Sequence, residues 1–190
     1  MRSVVLLGDS IRLGYQPVVR ELLADCAVWG PEENGQTSAW TLAHLDDWAL
    51  ARRPALLHLN CGLWDLRRDF GSTEHSVPLA DYRRNVAAIL ARARPVTQGP
   101  VLWATITPVN EAWHNARKPF ARFEGDVAAY NDVALVACRE QGVAVNDLHR
   151  VVTDAGRDRL LDADGVHYTD EGYRLLGAAV AAAIRQHLAG

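Results

Sequence analysis

Five short, almost continuously apolar runs recur along this chain with longer helix-patterned stretches between them, and that alternation limits the fold more than any other feature. The runs are SVVLL (3–7), AVWG (27–30), PALLHLNCG (54–62), PVLWATITP (100–108) and VAVNDLH (143–149). Strands this short and this uniformly apolar suit a parallel sheet buried on both faces. Helical patterns fall between them at about 14–25, 38–52, 78–94 and 120–141, with a terminal one at about 170–188 whose stripe is Leu175, Leu176, Val180, Ala183 and Ile184. Strand and helix in strict turn imply βαβ units with right-handed crossovers. The expected fold is a three-layer α/β/α, flavodoxin-like sandwich with a five-stranded parallel sheet in the order 2-1-3-4-5. With 190 residues, 49% of them hydrophobic, and no repeat or linker, the chain is expected to form one domain over residues 1–190.

Charge and cysteine usage narrow the functions. Twenty basic and 23 acidic residues are interspersed, giving a formal charge of −3 and no basic block to neutralise a row of phosphates, so nucleic acid is not an expected partner. The N-terminal apolar run is broken by Gly8 and Asp9, far short of the roughly 20 residues a membrane span needs, so neither a membrane nor a signal peptide is expected. Cys26, Cys61 and Cys138 are odd in number and far apart, which disfavours a disulfide framework or a zinc site and makes a reducing cytoplasm the default location.

An open parallel sheet binds ligands beyond the carboxyl ends of its strands, where the strand order reverses. In this chain that place is the end of the first strand, Gly8-Asp9-Ser10. The same edge would collect Asn34 to Ser38, Gly62 to Asp65, the loop TPVNEAWHNARKPF and the turn Asp164-Gly165-Val166-His167. Taken singly, Ser10 reads as a helix cap and His167 as a surface residue. Together with Asp164 they form a chemical set. An acid three residues before a histidine can hold one ring nitrogen and leave the other free as a base, and a serine hydroxyl becomes a useful nucleophile only beside such a base.

GDS at the first strand end, a Gly turn after the second, Gly-x-x-Asp after the third, FARFEGDVAAYND before the fifth and DGVHYTDEGY before the last helix resemble the SGNH, or GDSL-type, serine hydrolases over nearly the whole chain. The resemblance implies Ser10 as nucleophile, His167 as base and Asp164 as its orienting partner, with backbone N–H groups of Ser10 and Gly35 in an oxyanion hole. No metal or cofactor is called for. One block departs from the pattern: the family's Gly-x-Asn-Asp is here Gly62-Leu63-Trp64-Asp65. Trp64 either offers its indole N–H, is replaced as donor by Asn60, or forms a substrate wall, the reading placed first. Asp65 either braces its loop or touches substrate. Glu111, Trp113, His114, Asn115, Arg117 and Lys118 in the fourth loop either line a polar-ligand pocket or form a solvated loop.

The expected activity is hydrolysis of a small-molecule ester through an acyl-enzyme, with a short acyl group such as acetyl on a carbohydrate or other polar alcohol. A lysophospholipase or thioesterase on the same triad is the alternative, and a catalytically weakened binding domain or a flavin-binding flavodoxin would be of a different class.

Overall fold

The computed structural model describes residues 1–189. Its centre is a five-stranded sheet formed by β1 (Arg2–Leu7), β2 (Cys26–Trp29), β3 (Leu56–Leu59), β4 (Val101–Ala104) and β5 (Ala144–Asn146). All neighbours are parallel and the order is β2-β1-β3-β4-β5, as the alternation requires. Strand β1 lies between β2 and β3, Val4 pairing with Val28 on one side and Leu56 on the other. The chain therefore leaves β1 at the point where strand order reverses.

Helices cover both faces. Helices α1 (Ser10–Leu22) and α8 (Asp170–Leu188) pack together on one face, while α2 (Ser38–Trp48), α3 (Leu79–Ala93) and α5 (Glu124–Gln141) pack in succession on the other. Each buries a stripe at helical spacing: Ile11, Tyr15 and Val19 on α1; Val86, Ile89, Leu90 and Ala93 on α3; Leu176, Val180, Ala181 and Ile184 on α8. Leu175 and Ala183 lie at the margin of the α8 stripe and are only partly buried. No helix among the described residues is long and apolar enough to cross a membrane.

The strands stop earlier than the apolar runs, for local reasons. After β4, the side chain of Asn131 on α5 accepts from the Ile106 N–H at 2.8 Å and donates to the Ile106 carbonyl at 3.0 Å, taking the place of a strand neighbour. After β5, the Asp147 carboxylate accepts from the Arg150 N–H at 3.1 Å and starts a short helix, α6 (Leu148–Asp154), inside the stretch expected to be strand. Two further short helices, α4 (Glu111–Asn115) and α7 (Arg157–Leu160), are not foreshadowed by the pattern. Two expected helix starts are also corrected. Helix α1 begins at Ser10 because Asp9 caps it, whereas residues 120–123 are not helical, Ala121 bridging to Arg68 and Phe123 being extended, and α5 starts only at Glu124.

The strand tip is braced by Arg12, which is fully buried. Its guanidinium donates to the carbonyls of Pro31 (2.7 Å), Glu33 (2.8 Å) and Gly8 (3.3 Å) and to Gln16 Oε1 (3.1 Å), so one side chain ties the loop after β2 to the end of β1. Burial lowers its pKa to about 10, which still leaves it a cation at neutral pH. Removing it strands several buried acceptors, so Arg12→Leu is expected to lower unfolding free energy by about 3 kcal/mol or more, read from a shifted urea midpoint at unchanged m-value. A loss below roughly 1 kcal/mol would contradict this account of the brace.

Candidate active site

Residues from the first and last turns of the chain meet at the carboxyl edge of the sheet. Asp9 is the N-cap of α1, its carboxylate accepting from the Ile11 N–H at 2.9 Å, and this places Ser10 as the first residue of the helix. The Ser10 hydroxyl donates to His167 Nε2 at 2.8 Å. On the far side of the ring, His167 Nδ1 is 2.6 Å from Asp164 Oδ2. An ionised carboxylate only accepts, so the ring proton sits on Nδ1 and Nε2 is left as the acceptor facing serine.

Asp164 is held hard in its charged form. Burial opposes that charge, but the His167 ring, the N–H groups of His167 (2.9 Å) and Val166 (3.0 Å) and Lys118 Nζ (3.1 Å) outweigh it, and the carboxyl lies well below the usual carboxylate range. The turn itself needs Gly165: its φ is +73°, and a Cβ there would stand 2.9 Å from the His114 nitrogen. The Gly165 carbonyl accepts from the Asn110 N–H at 2.8 Å, pinning the turn to the loop after β4.

Ser10 and His167 open on a cavity of about 290 Å³ lined also by Asp9, Asn34, Leu63, Trp64, Lys118, Phe120, Arg122 and Val166. Trp64 forms a wall, its ring centroid 6.4 Å from that of Phe120 and 5.7 Å from the Arg122 guanidinium carbon. A larger surface depression of about 460 Å³ lies elsewhere, over Glu124, His149, Arg157 and Asp158, where His149 Nε2 is 2.7 Å from Glu124 and Arg157 pairs with Asp158 at 2.6 Å.

Several expected site residues lie elsewhere. The Gly35 N–H donates to the Gly8 carbonyl at 3.0 Å, so in this geometry it is committed to the strand tip and not turned toward an oxyanion. Asn60 is buried against Gly8 and does not line the cavity. Asp65 is fully buried and takes the Ser38 N–H at 2.9 Å together with the Ser38 hydroxyl, which fastens the start of α2 and leaves no substrate contact. Glu111 accepts from the Glu124 N–H at 2.9 Å, Trp113 packs on the core, and His114 is buried with both ring nitrogens unpartnered. Burial, reinforced by nearby Arg122, lowers His114 to about 4, so it is a neutral packing residue. Of the two backbone donors first expected in an oxyanion hole, the Ser10 N–H in the first turn of α1 is the one with no partner among the described residues, and the helix terminus adds its partial positive charge.

Arg122 is the site residue that sequence reasoning missed, and Phe120, at the end of the loop expected on this edge, was not singled out. Both fall in a segment whose apolar content suggested the start of a helix, and the non-helical backbone at 120–123 is what aims them at the cavity.

A nucleophilic hydroxyl, an oriented imidazole and a charged carboxylate on the carboxyl edge of a 2-1-3-4-5 sheet define a serine hydrolase of the α/β/α class. The GDSL-like lipase/acylhydrolase family matches residues 6–175, and the chain belongs to that family of ester hydrolases. The fold is similar to that of the lipase/acylhydrolase from Enterococcus faecalis, with 24% identity, a TM-score of 0.81 and coverage of 98% of this chain and 96% of that one. It is also similar to an acetyl xylan esterase (18% identity, TM-score 0.76, coverage 96% and 99%). A catalytic mutant of an acetylxylan esterase from Geobacillus stearothermophilus aligns comparably, with 18% identity, a TM-score of 0.74 and coverage of 96% and 94%. No curated protein matches by sequence.

The Asp65–Ser38 contact has a pH signature. Burial pushes Asp65 up to about 6 despite the two donors from Ser38. A carboxyl raised in the folded state contributes stability below its ordinary pKa and loses it as pH rises through the folded value. Relative to Asp65→Asn, the wild-type chain is therefore expected to lose about 2–3 kcal/mol of unfolding free energy between about pH 4 and 7, measured by urea denaturation across that range. A difference that stayed flat or grew with pH would refute it.

Proposed function

We propose that the chain hydrolyses esters of short acyl groups, acetyl foremost, on a carbohydrate or other polar alcohol, with Ser10 as nucleophile, His167 as general base and acid, and Asp164 as the group that orients and charges the imidazole. The observation that carries this reading is the continuous line from Ser10 Oγ to His167 Nε2 at 2.8 Å and from Nδ1 to Asp164 at 2.6 Å. His167 takes the Ser10 proton as the oxygen attacks the ester carbonyl. The tetrahedral oxyanion forms beside the Ser10 N–H at the helix terminus, and the alcohol departs with the proton from His167. Water then repeats the sequence on the acyl-enzyme, and the acid is released.

The short acyl group is supported by the modest size of the cavity, about 290 Å³ with Trp64 and Phe120 in its wall, at the lower end of small-molecule sites. Its polar wall, Asn34, Lys118 and Arg122, suits a hydrophilic alcohol. Two of the similar structures are acetyl xylan esterases, a substrate class of the same kind.

A fluorophosphonate probe is expected to label Ser10 in the folded chain, with labelling abolished by Ser10→Ala and turnover lowered about 100-fold or more by Asp164→Asn. Across a series of nitrophenyl esters, kcat/KM is expected to peak at roughly four acyl carbons or fewer. An unlabelled Ser10 would sink the hydrolase assignment of this site, and a peak at about eight carbons or beyond would sink the short-acyl reading alone.

A further inference from the structure

The cavity contains a cation that the hydrolytic mechanism does not use. Arg122 is only 5% exposed, yet it lines the cavity beside Ser10 and His167. Its Nε donates to the Leu63 carbonyl at 2.7 Å, which fixes the plane of the guanidinium. Phe120 and Trp64 flank it, with ring centroids 5.0 and 5.7 Å from the guanidinium carbon. Among the described residues its terminal nitrogens have no hydrogen-bond partner and no carboxylate within ion-pair distance.

Neither nearby acid reaches the guanidinium. Asp164 is taken by His167 and Lys118. Asp9 gives one oxygen to the Ile11 N–H; its other oxygen is buried without a hydrogen-bond partner and lies beyond ion-pair distance of Arg122, and burial raises its pKa although the Arg122 charge opposes that rise. Arg67 also stacks on Phe120, 4.3 Å from its centroid, but it is ion-paired with Asp69 at 3.7 Å and does not line the cavity. Burial lowers the pKa of Arg122 to about 10, so it remains protonated at neutral pH. Asp9 and Asp164 favour its charge from beyond ion-pair distance, but a buried guanidinium with no carboxylate in direct contact is costly, and its planar fork matches a carboxylate with two parallel N–H donors.

We propose that Arg122 is a specificity residue that binds a carboxylate on the alcohol portion of the ester, so that the substrate is a short-chain ester of an acidic alcohol. The proposal rests on the hydrolase reading for the ester, and on the geometry of Arg122 for the anion. An acetyl group has no site for a second charge, so the carboxylate belongs to the leaving side. Trp64, standing where the family pattern has Asn, then acts as the apolar wall that keeps the guanidinium dry and its partner specific.

The test compares 2-, 3- and 4-acetoxybenzoate with the corresponding neutral acetoxybenzamides, each rate normalised to hydroxide-catalysed hydrolysis. For the best isomer, kcat/KM for the carboxylate is expected to exceed that for the amide by at least about tenfold, and Arg122→Met is expected to bring the ratio close to one. Arg122→Lys, which keeps the charge and loses the fork, is expected to fall between them and guards against a misfolded Met variant. A wild-type ratio near one for all isomers, or a ratio unchanged in both variants, would overturn the proposal. An equal loss on both ester types belongs to that second result and would point to a role at the oxyanion. Calorimetric titration with the three hydroxybenzoates and hydroxybenzamides separates this proposal from the hydrolase reading. If no ester is turned over, binding of a hydroxybenzoate that is lost in Arg122→Met leaves the anion site standing while the hydrolase reading fails, and absence of such binding removes both.

Discussion

Four donors converge on the carboxylate of Asp164: two backbone N–H groups, the His167 ring and Lys118. That convergence is what makes a chemical site out of a sheet edge. The backbone donors fold the turn so that Asp164 and His167, three residues apart, face each other; the ring bond fixes the tautomer; and Lys118 draws the loop after β4 against the cavity. With any other ring orientation, Nε2 would not meet a hydroxyl 157 residues earlier in the chain. The sheet order supplies the other half of the constraint. Strand β1 carries Ser10 to the switch point from the centre of the sheet, where both neighbours hold the strand in register.

The parts of this arrangement legible in the sequence are those that obey a local rule. Periodicity gives the five strands and their helices, and parallel connection gives the order 2-1-3-4-5. Ser10, Asp164 and His167 stand at strand or helix ends, which the order of a parallel sheet gathers on one edge. Element limits were less legible, because they depend on side chains reaching from elsewhere: Asn131 ends β4 from α5, and Asp147 converts an apolar strand tail into α6. The same holds for Arg122. Phe-Ala-Arg-Phe has the apolar weight of a helix start, and only the bridge from Ala121 to Arg68 makes it a non-helical edge with Arg122 turned inward. Glu111, Trp113 and His114 mislead in the opposite sense, since their chemistry is that of a ligand pocket while their contacts are those of a capped, packed loop. Residue type alone does not distinguish these cases, because the deciding partners are remote in sequence.

The two buried arginines near the strand tip show how the same side chain serves structure in one place and leaves a demand in another. Arg12 and Arg122 are both nearly inaccessible, and burial lowers both to about 10. Arg12 meets three carbonyls and a glutamine oxygen, all supplied by the fold. Its desolvation is offset inside the protein, and its effect is to fasten the β2 loop. Arg122 meets one carbonyl and two aromatic faces. Aromatic faces attract a cation more weakly than an anion does and form no bidentate bond. The fold therefore holds a guanidinium in a fixed plane beside a nucleophile and leaves most of its hydrogen-bonding capacity unmet.

This asymmetry bears on the unusual Trp64. In a hydrolase whose oxyanion is met by a side-chain amide, a neutral polar group at that position would sit beside Arg122 and hydrate it. An indole excludes water, strengthens every charge interaction in the cavity, and leaves the guanidinium as the strongest recognition element on that wall. The replacement of a donor by a wall is then coherent with the rest of the site. With the Gly35 N–H engaged by Gly8, positive potential at the reacting carbonyl comes from the Ser10 N–H at the α1 terminus, and Arg122 is left for recognition. Such a cavity favours a substrate that brings its own negative charge.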